Sequence, residues 1–140
     1  MKNLRFICIL FALMTALAIC AKKKYPVIQF EKTTIDLGTF SSDTPVQTCT
    51  FKFRNVGDAK LVINYVHTSC GCTVADFPKD YISPGGSGVI TVTYDATGKM
   101  PGKFRKAIQV FTNCKDDYMR IFVQGNMTTP PSGTRKKGGT

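Results

Sequence analysis

The residues best suited to chemistry in this chain are the two cysteines of the Cys70-Gly71-Cys72 motif. A disulfide across one intervening residue is strained, and strain makes a bridge easier to reduce and able to exchange with other thiols. Lys103 and Arg105 lie further along the chain, and a cation close to a thiol lowers the thiol pKa. One interpretation of the motif is therefore a thiol–disulfide redox site, in which Cys49 can also take part.

Two other interpretations of the motif stay open on the sequence. In the first, the cysteines are small, half-buried thiols at the end of a strand, or one of them pairs with Cys49. In the second, His67, Cys70 and Cys72 bind Cu(I) or Zn. Met100 is the conceivable fourth ligand, because imidazole and sulfur ligands suit both metals. His67 is the only histidine of the chain, and a single histidine on a strand is more often packed or exposed than a metal ligand.

The rest of the sequence has no recognised catalytic arrangement. No glycine-rich loop leads from a strand into a helix to bind phosphate. With one histidine, a Ser-His-Asp triad has only one possible centre. The spacing of the acidic residues suggests no pair of carboxylates. We therefore expect a protein that is not an enzyme and that needs no cofactor, unless the cysteine motif acts in redox or metal chemistry.

The elements that must position the cysteines are predicted to be β-strands. Residues 46–54 alternate apolar and polar side chains, with Cys49, Phe51 and Phe53 on one face, which is typical of a half-buried strand. Residues 61–68 are apolar on both faces and are predicted to form a central strand. The other predicted strands are residues 27–30, 34–37, 89–95, 103–112 and 118–124. In the last three, the side chains expected to face the core are Ile90, Val92, Tyr94, Ile108, Val110, Met119, Ile121 and Val123.

About seven short strands separated by turn signals predict an all-β fold, an immunoglobulin-like sandwich. We therefore divide the chain into a signal peptide (residues 1–21), a basic linker (22–26), the sandwich domain (27–127) and a disordered tail (128–140). The tail consists largely of Pro, Gly, Thr and Lys residues, which cannot bury a core.

Strand direction predicts where the cysteines lie on the sandwich. If consecutive strands reverse direction, the Cys70-Gly71-Cys72 motif, Cys49 and the loop that holds Lys99 come to the same end. Cys114 falls at the opposite end, and a bridge from it to the motif would exceed the limit of roughly 7 Å between α-carbons. We therefore expect no disulfide between Cys114 and the motif.

The first 21 residues are typical of a secretory signal peptide. Lys2 and Arg5 form its positive region, and residues 6–19 are an almost unbroken apolar stretch. This stretch is shorter than the roughly 20 residues that a membrane-spanning helix needs. We expect cleavage after Ala21, with cleavage after Cys20 or a retained anchor helix as alternatives. In each case the folded domain lies in the periplasm or the extracellular space, where disulfides form and persist.

A membrane-anchored lipoprotein is the alternative. Residues 17–20, Leu-Ala-Ile-Cys, resemble a lipobox, which ends in a cysteine that receives lipid. Ile19 departs from that pattern, because a small residue is usual at its position. Cys20 is then the candidate lipidation site, and we expect the chain to meet a membrane only if Cys20 is lipidated.

The net charge of +10 comes mainly from the two ends of the chain. Eight of the 19 basic residues lie in the leader and in the runs 22–24 and 135–137. Residues 25–127 carry 11 basic and nine acidic residues, a net charge of only +2. A nucleic-acid partner is therefore not expected, because its binding needs a basic surface on the folded domain.

The sequence also resembles a family of secreted bacterial proteins called domain of unknown function 1573, over nearly all of residues 27–126. The residues that carry the likeness are Phe30, Asp36-Leu37-Gly38, Thr50-Phe51-Lys52-Phe53-Arg54-Asn55-Val56-Gly57, Leu61-Val62-Ile63, Ser69-Cys70-Gly71-Cys72-Thr73, Ile82-Ser83-Pro84-Gly85, Val92-Thr93-Tyr94 and Gly102-Lys103-Phe104. The chain is similar in outline to the immunoglobulin-like domains of Hydin-type cilium and centrosome proteins. The resemblance implies an immunoglobulin-like sandwich in the cell envelope, and it implies no established activity.

The function expected on these grounds is that of a non-catalytic binding or scaffold module. An exposed strand edge or one loop end of the sandwich would hold a protein or peptide of the cell envelope. Redox chemistry and Cu or Zn binding at the cysteine motif are the alternatives.

Overall fold

The computed structural model describes residues 22–130, which form two β-sheets packed face to face. The predicted signal peptide with Cys20, and residues 131–140 of the predicted tail, lie outside the described residues. Within the described part, no helix is long and apolar enough to cross a membrane. The strands are β1 (Ile28–Phe30), β2 (Thr34–Ser41), β3 (Val46–Asn55), β4 (Ile63–Thr68), β5 (Thr73–Asp76), β6 (Ser87–Asp95), β7 (Gly102–Thr112) and β8 (Tyr118–Thr128).

The two sheets have four strands each. Sheet A has the order β1-β3-β6-β5, and its neighbouring strands are antiparallel. Sheet B has the order β2-β8-β7-β4, in which β2 runs parallel to β8 and the other pairs are antiparallel. This arrangement confirms the predicted all-β, immunoglobulin-like sandwich.

The core lies between the sheets and is built from alternate residues of the four inner strands. Period-two alternation sends every second side chain inward, and eight of the inward side chains are at most 1% exposed. They are Phe51, Phe53, Ile90, Val92, Ile108, Val110, Ile121 and Val123. These are residues that the alternation predicted to face the core, so that prediction is confirmed.

Asn55, at the end of β3, is a fully buried polar residue with a complete set of hydrogen bonds. Its side-chain oxygen accepts from the N–H groups of Val27 and Gly57 at 3.3 and 3.1 Å. Its amide nitrogen donates to the carbonyl oxygens of Ala59 and Ile82 at 2.7 and 2.9 Å. This side chain therefore joins the turn after β3 to the chain before β1 and the chain before β6.

The structure contains a strand that the sequence analysis missed. β5 has only four residues, follows the cysteine motif directly and pairs with β6. Four residues are too few to show a clear alternation. The predicted count of about seven strands therefore becomes eight in the described part of the chain.

The prediction that residues 61–68 form a central strand is wrong. The strand in this region, β4, lies at the edge of sheet B and pairs only with β7 within its sheet. Ile63 is 5% exposed and faces the core, whereas Tyr65 is 52% exposed on the outer face of the sheet. The apolar residues on the second face of β4 therefore form a surface rather than a second buried side.

Candidate functional site

The cysteine motif lies in the connection between β4 and β5, where the chain passes from sheet B to sheet A. The structure joins Cys70 to Cys72 by a disulfide, with their α-carbons 5.3 Å apart. The Thr73 N–H donates to the carbonyl oxygen of Cys70 at 3.2 Å. The Thr68 hydroxyl lies 3.2 Å from the Cys70 carbonyl oxygen and 3.0 Å from that of Thr73. The turn is therefore held by hydrogen bonds as well as by the disulfide.

The disulfide rests on a small aromatic cluster at this end of the sandwich. The side chain of Cys72 packs against a buried group that includes Tyr94 and Met127, with Phe104 beside it. Tyr94 and Phe104 stack with their ring centroids 4.3 Å apart. The Cys72 carbonyl oxygen accepts from the N–H of Asp95 at 2.7 Å, which fixes the motif to the end of β6.

An open hollow of about 360 Å³ lies beside the disulfide. It is lined by Cys70, Gly71, Cys72, Asp95, Thr97 and Lys99. Hydrogen bonds from Thr97 lower the pKa of the Asp95 carboxyl group, so its charge persists near neutral pH. Lys99 is the basic residue of the hollow. It lies at the same end of the sandwich as the motif, as predicted from strand direction.

Lys103 and Arg105 do not lie in this hollow. They line a separate hollow of about 580 Å³, together with Asp36 and Gln124 among others. The guanidinium of Arg105 donates to the Gln124 side-chain oxygen at 3.3 Å and lies 4.2 Å from the centroid of the Phe122 ring. The structure therefore places Lys99 in the hollow beside the disulfide, whereas Lys103 and Arg105 line a different one.

The other two cysteines of the described part are free thiols. Cys49 lies opposite Val92 of β6 and packs against the main core. Burial raises the pKa of the Cys49 thiol to about 11, so the thiol stays protonated near neutral pH. Cys114 follows β7 at the opposite end of the sandwich from the motif. In this structure neither one pairs with Cys70 or Cys72.

The four residues considered for a Cu or Zn site lie in different settings. His67 is on the outer face of sheet B, opposite Gln109 of β7, and Met100 is 88% exposed in the loop before β7. Cys70 and Cys72 are joined to each other and offer no thiolate in this state. Among residues 22–130, no group of three or more His, Cys, Asp or Glu side chains could hold a metal ion.

A row of aromatic side chains, which no sequence pattern predicted, crosses the outer face of sheet B. The rings of Tyr65 and Phe111 stack at 4.2 Å with an interplanar angle of 10°, and Tyr118 lies 5.2 Å from Phe111. Arg120 donates to the Tyr118 hydroxyl at 3.2 Å. The rings meet because the register of sheet B makes Phe111 the cross-strand partner of both Tyr65 and Tyr118. No local sequence motif indicates this pairing.

One end of this row meets an open sheet edge. β4 pairs with β7 on one side, and its other side carries no further strand. Within residues 22–130, no hydrogen bond outside the β4–β7 ladder involves the backbone of residues 63–67. Since alternate backbone groups of an edge strand point away from the sheet, β4 presents unpaired donors and acceptors next to Tyr65.

Comparison with solved structures places this fold among known sandwiches. A protein of unknown function from Porphyromonas gingivalis W83 is similar to the chain, with 22% identity and a TM-score of 0.65. The likeness covers 78% of this chain and 51% of that one, so this chain spans about half the length of that protein.

Two further solved structures show a similar fold. The ASH/PapD-like domain 7 of human CEP192 has 8% identity and a TM-score of 0.59, with 74% of this chain and 87% of that one covered. The YadV chaperone has 15% identity and a TM-score of 0.51, with 74% and 52% covered. These likenesses show the fold alone.

No curated protein matches the chain. A family model described as "Protein of unknown function (DUF1573)" matches residues 28–127, a span that contains all eight strands apart from the last residue of β8. The match confirms the resemblance drawn from the sequence. The chain therefore belongs to the family of unknown function DUF1573.

Proposed function

We propose that this protein is a non-catalytic binding module that takes an extended segment of another protein as an additional strand beside β4. The observation that carries the proposal is that β4 is an open edge of sheet B, and that Tyr65, the last ring of the aromatic row, lies on this strand. Main-chain hydrogen bonds to such an edge supply affinity, and alternate side chains of the added strand supply specificity.

The composition of β4 supports its role as the docking edge. Natural proteins protect edge strands with charged residues, prolines, irregularities or very short length. β4 has six residues, none of them charged and none proline. Its one irregularity lies between Ile63 and Tyr65, so the ladder is regular from Tyr65 to Thr68.

The other edges carry more protection. β1 has only three residues. β5 has four, and Asp76 puts a charge on it. β2 is interrupted between Asp36 and Thr39, and the Asp36 carboxylate is held by the Gly38 N–H and the Gln124 amide at 2.8 and 3.1 Å. Each of these features hinders the addition of a regular strand.

Tyr65 determines which segment fits. One face of its ring stacks on Phe111, and the opposite face is directed beyond the edge of the sheet. An aromatic or large apolar residue opposite Tyr65 on the added strand continues the row, because aromatic and β-branched cross-strand pairs stabilise a sheet. The proposed partner is therefore an extended segment with alternating apolar residues and an aromatic residue at that position.

We place this binding in the cell envelope. The leader at residues 1–21 supports export, and a lipid on Cys20 would add membrane anchoring. The low net charge of residues 25–127 argues against a nucleic-acid partner. The proposed partner is accordingly a protein or peptide of the envelope.

The experiment selects displayed random ten-residue peptides on the immobilised protein and measures the binding of synthetic copies. We expect the selected peptides to contain alternating apolar residues. When bound, they should slow amide hydrogen exchange at residues 65–68 of the protein. Tyr65→Ala should weaken their binding by about tenfold, as the loss of an aromatic contact and buried apolar area predicts.

The matched control is Val46→Ala, which removes a side chain of similar exposure from sheet A. Binding by this variant should equal that of the original protein. Selection of no peptide, or exchange protection confined to another edge, would contradict the proposal.

A further inference from the structure

The Cys70–Cys72 disulfide has no part in the strand-edge binding described above. From its position we propose that it is a reversible redox centre. It accepts two electrons from the dithiol of another envelope protein and then passes them to a disulfide oxidant. This activity is separate from peptide binding, and either can fail without the other.

The bridge contributes little to the stability of the fold. The disulfide closes a loop of three residues, and so short a loop removes little entropy from the unfolded chain. The carbonyl groups of Cys70 and Cys72 are held by the N–H groups of Thr73 and Asp95, at 3.2 and 2.7 Å. These bonds do not involve sulfur, so the turn can keep its shape when the bridge opens. The two thiols then stay close enough to form it again.

The disulfide is accessible to a thiol from outside the protein. Both cysteines are only partly buried, and both line the open hollow at the end of the sandwich. Exposed disulfides are the ones that exchange with external thiols, because the attacking sulfur must reach the bond. Lys99 lines the same hollow, and its charge attracts an incoming thiolate. Asp95 also lies there, with its carboxylate oxygen accepting from the Thr97 N–H at 2.8 Å.

Cys70 also contacts the side chain of Thr73. The Sγ atom of Cys70 lies 3.6 Å from the Thr73 hydroxyl oxygen. A disulfide sulfur carries no hydrogen, so the hydroxyl is the donor in this contact. The same hydroxyl can stabilise negative charge on Cys70 when the disulfide opens, which makes Cys70 the better leaving group.

The exchange follows in two balanced steps. A thiolate of the partner attacks Sγ of Cys72, a bond forms between these sulfurs, and the Cys70–Cys72 bond breaks with its electron pair on Cys70. The second thiolate of the partner then attacks the partner sulfur of the mixed disulfide and releases Cys72. The partner is oxidised to a disulfide, and its two protons and two electrons end on Cys70 and Cys72.

The two free thiols do not compete in this exchange. Cys49 packs against the core on the inner face of β3, and Cys114 lies at the other end of the sandwich. If the mature chain begins after Ala21, replacing Cys49 and Cys114 by Ala leaves Cys70 and Cys72 as its cysteines. In this double variant, the number of free thiols reports directly the redox state of the motif.

The experiment incubates the mature Cys49→Ala/Cys114→Ala protein in a series of glutathione redox buffers and counts thiols by a maleimide gel shift. We expect no thiols before reduction, and two that appear together while the circular dichroism of the strands is unchanged. Returning the protein to oxidised glutathione should restore the bridge.

Two pairs of variants test the site itself. Lys99→Gln should slow reduction by glutathione, which carries a net negative charge, by about threefold, whereas Lys115→Gln should not. Thr73→Val should slow reduction, and Thr73→Ser, which keeps the hydroxyl, should restore the rate. Reduction only in denaturant, loss of strand structure on reduction, or equal rates within both pairs would overturn the proposal.

Discussion

A disulfide that spans one residue differs in its effect on stability from one that joins distant strands. For a loop of three residues, the chain-entropy model gives a stabilisation of about 1.5 kcal/mol. We therefore expect Cys70→Ser/Cys72→Ser to lower the free energy of unfolding by about that amount. Urea unfolding followed by circular dichroism measures the change, with Cys114→Ser as the control. A loss above about 4 kcal/mol, the value for a loop of many tens of residues, would show that the bridge holds the sandwich together.

Cys49 gives the fold a dependence on alkaline pH. Its pKa is raised from 9.0 to about 11 by burial, so the folded state keeps a proton that the unfolded state releases first. The stabilisation is therefore complete below pH 9 and is lost as the pH rises toward 11. The melting temperature of the protein should fall over this window by more than that of Cys49→Ala. Equal falls for the two proteins would contradict the assignment.

Gly88 and Gly71 differ in whether the structure leaves space for a larger side chain. A Cβ added at Gly88 of β6 would meet the Phe53 ring and lie 2.7 Å from the Ile82 side chain, whereas one added at Gly71 meets nothing within 4 Å. We expect Gly88→Ala to destabilise the protein by about 1–3 kcal/mol through overpacking. Gly71→Ala should leave both stability and disulfide formation unchanged. Urea unfolding of the two variants, side by side, checks the contrast.

The strand elements also show where local pattern stops being informative. A run that is apolar on both faces is expected of a strand buried on two sides, yet in β4 the second face belongs to an exposed aromatic row. Tyr65 finds its apolar neighbour in Phe111, which is distant in sequence and adjacent only through the sheet register. Sequence alternation therefore predicts that a strand exists but does not distinguish a central strand from an edge strand.

At the scale of the whole molecule, the mass of the exported chain tests its processing. We expect the mature protein to begin at Lys22, because Ile19 interrupts the lipobox pattern and favours cleavage after Ala21. Mass spectrometry of the intact protein, before and after reduction, measures both the start of the chain and the number of bridges. A chain that begins at Cys20 and carries acyl mass would contradict this prediction and place the protein on a membrane.

The amino-acid sequence alone determined the sandwich, its core and the motif that could do chemistry. Alternation at period two is a local property, so Phe51, Phe53, Ile90 and Val92 could be assigned to the core without coordinates. The family resemblance rested likewise on residues that can be read in order along the chain.

Only the tertiary structure decided which cysteines pair, which cation adjoins them and which strand is open to a partner. The sequence left open whether Cys70 and Cys72 pair with each other or one of them pairs with Cys49, and the structure joins Cys70 to Cys72 in the turn between β4 and β5. Lys99, between β6 and β7, lines the hollow beside the motif, whereas Lys103 lies within β7 and lines the other hollow. The position of the cation and the open edge of β4 depend on contacts between segments far apart in sequence, and no local pattern encodes such contacts.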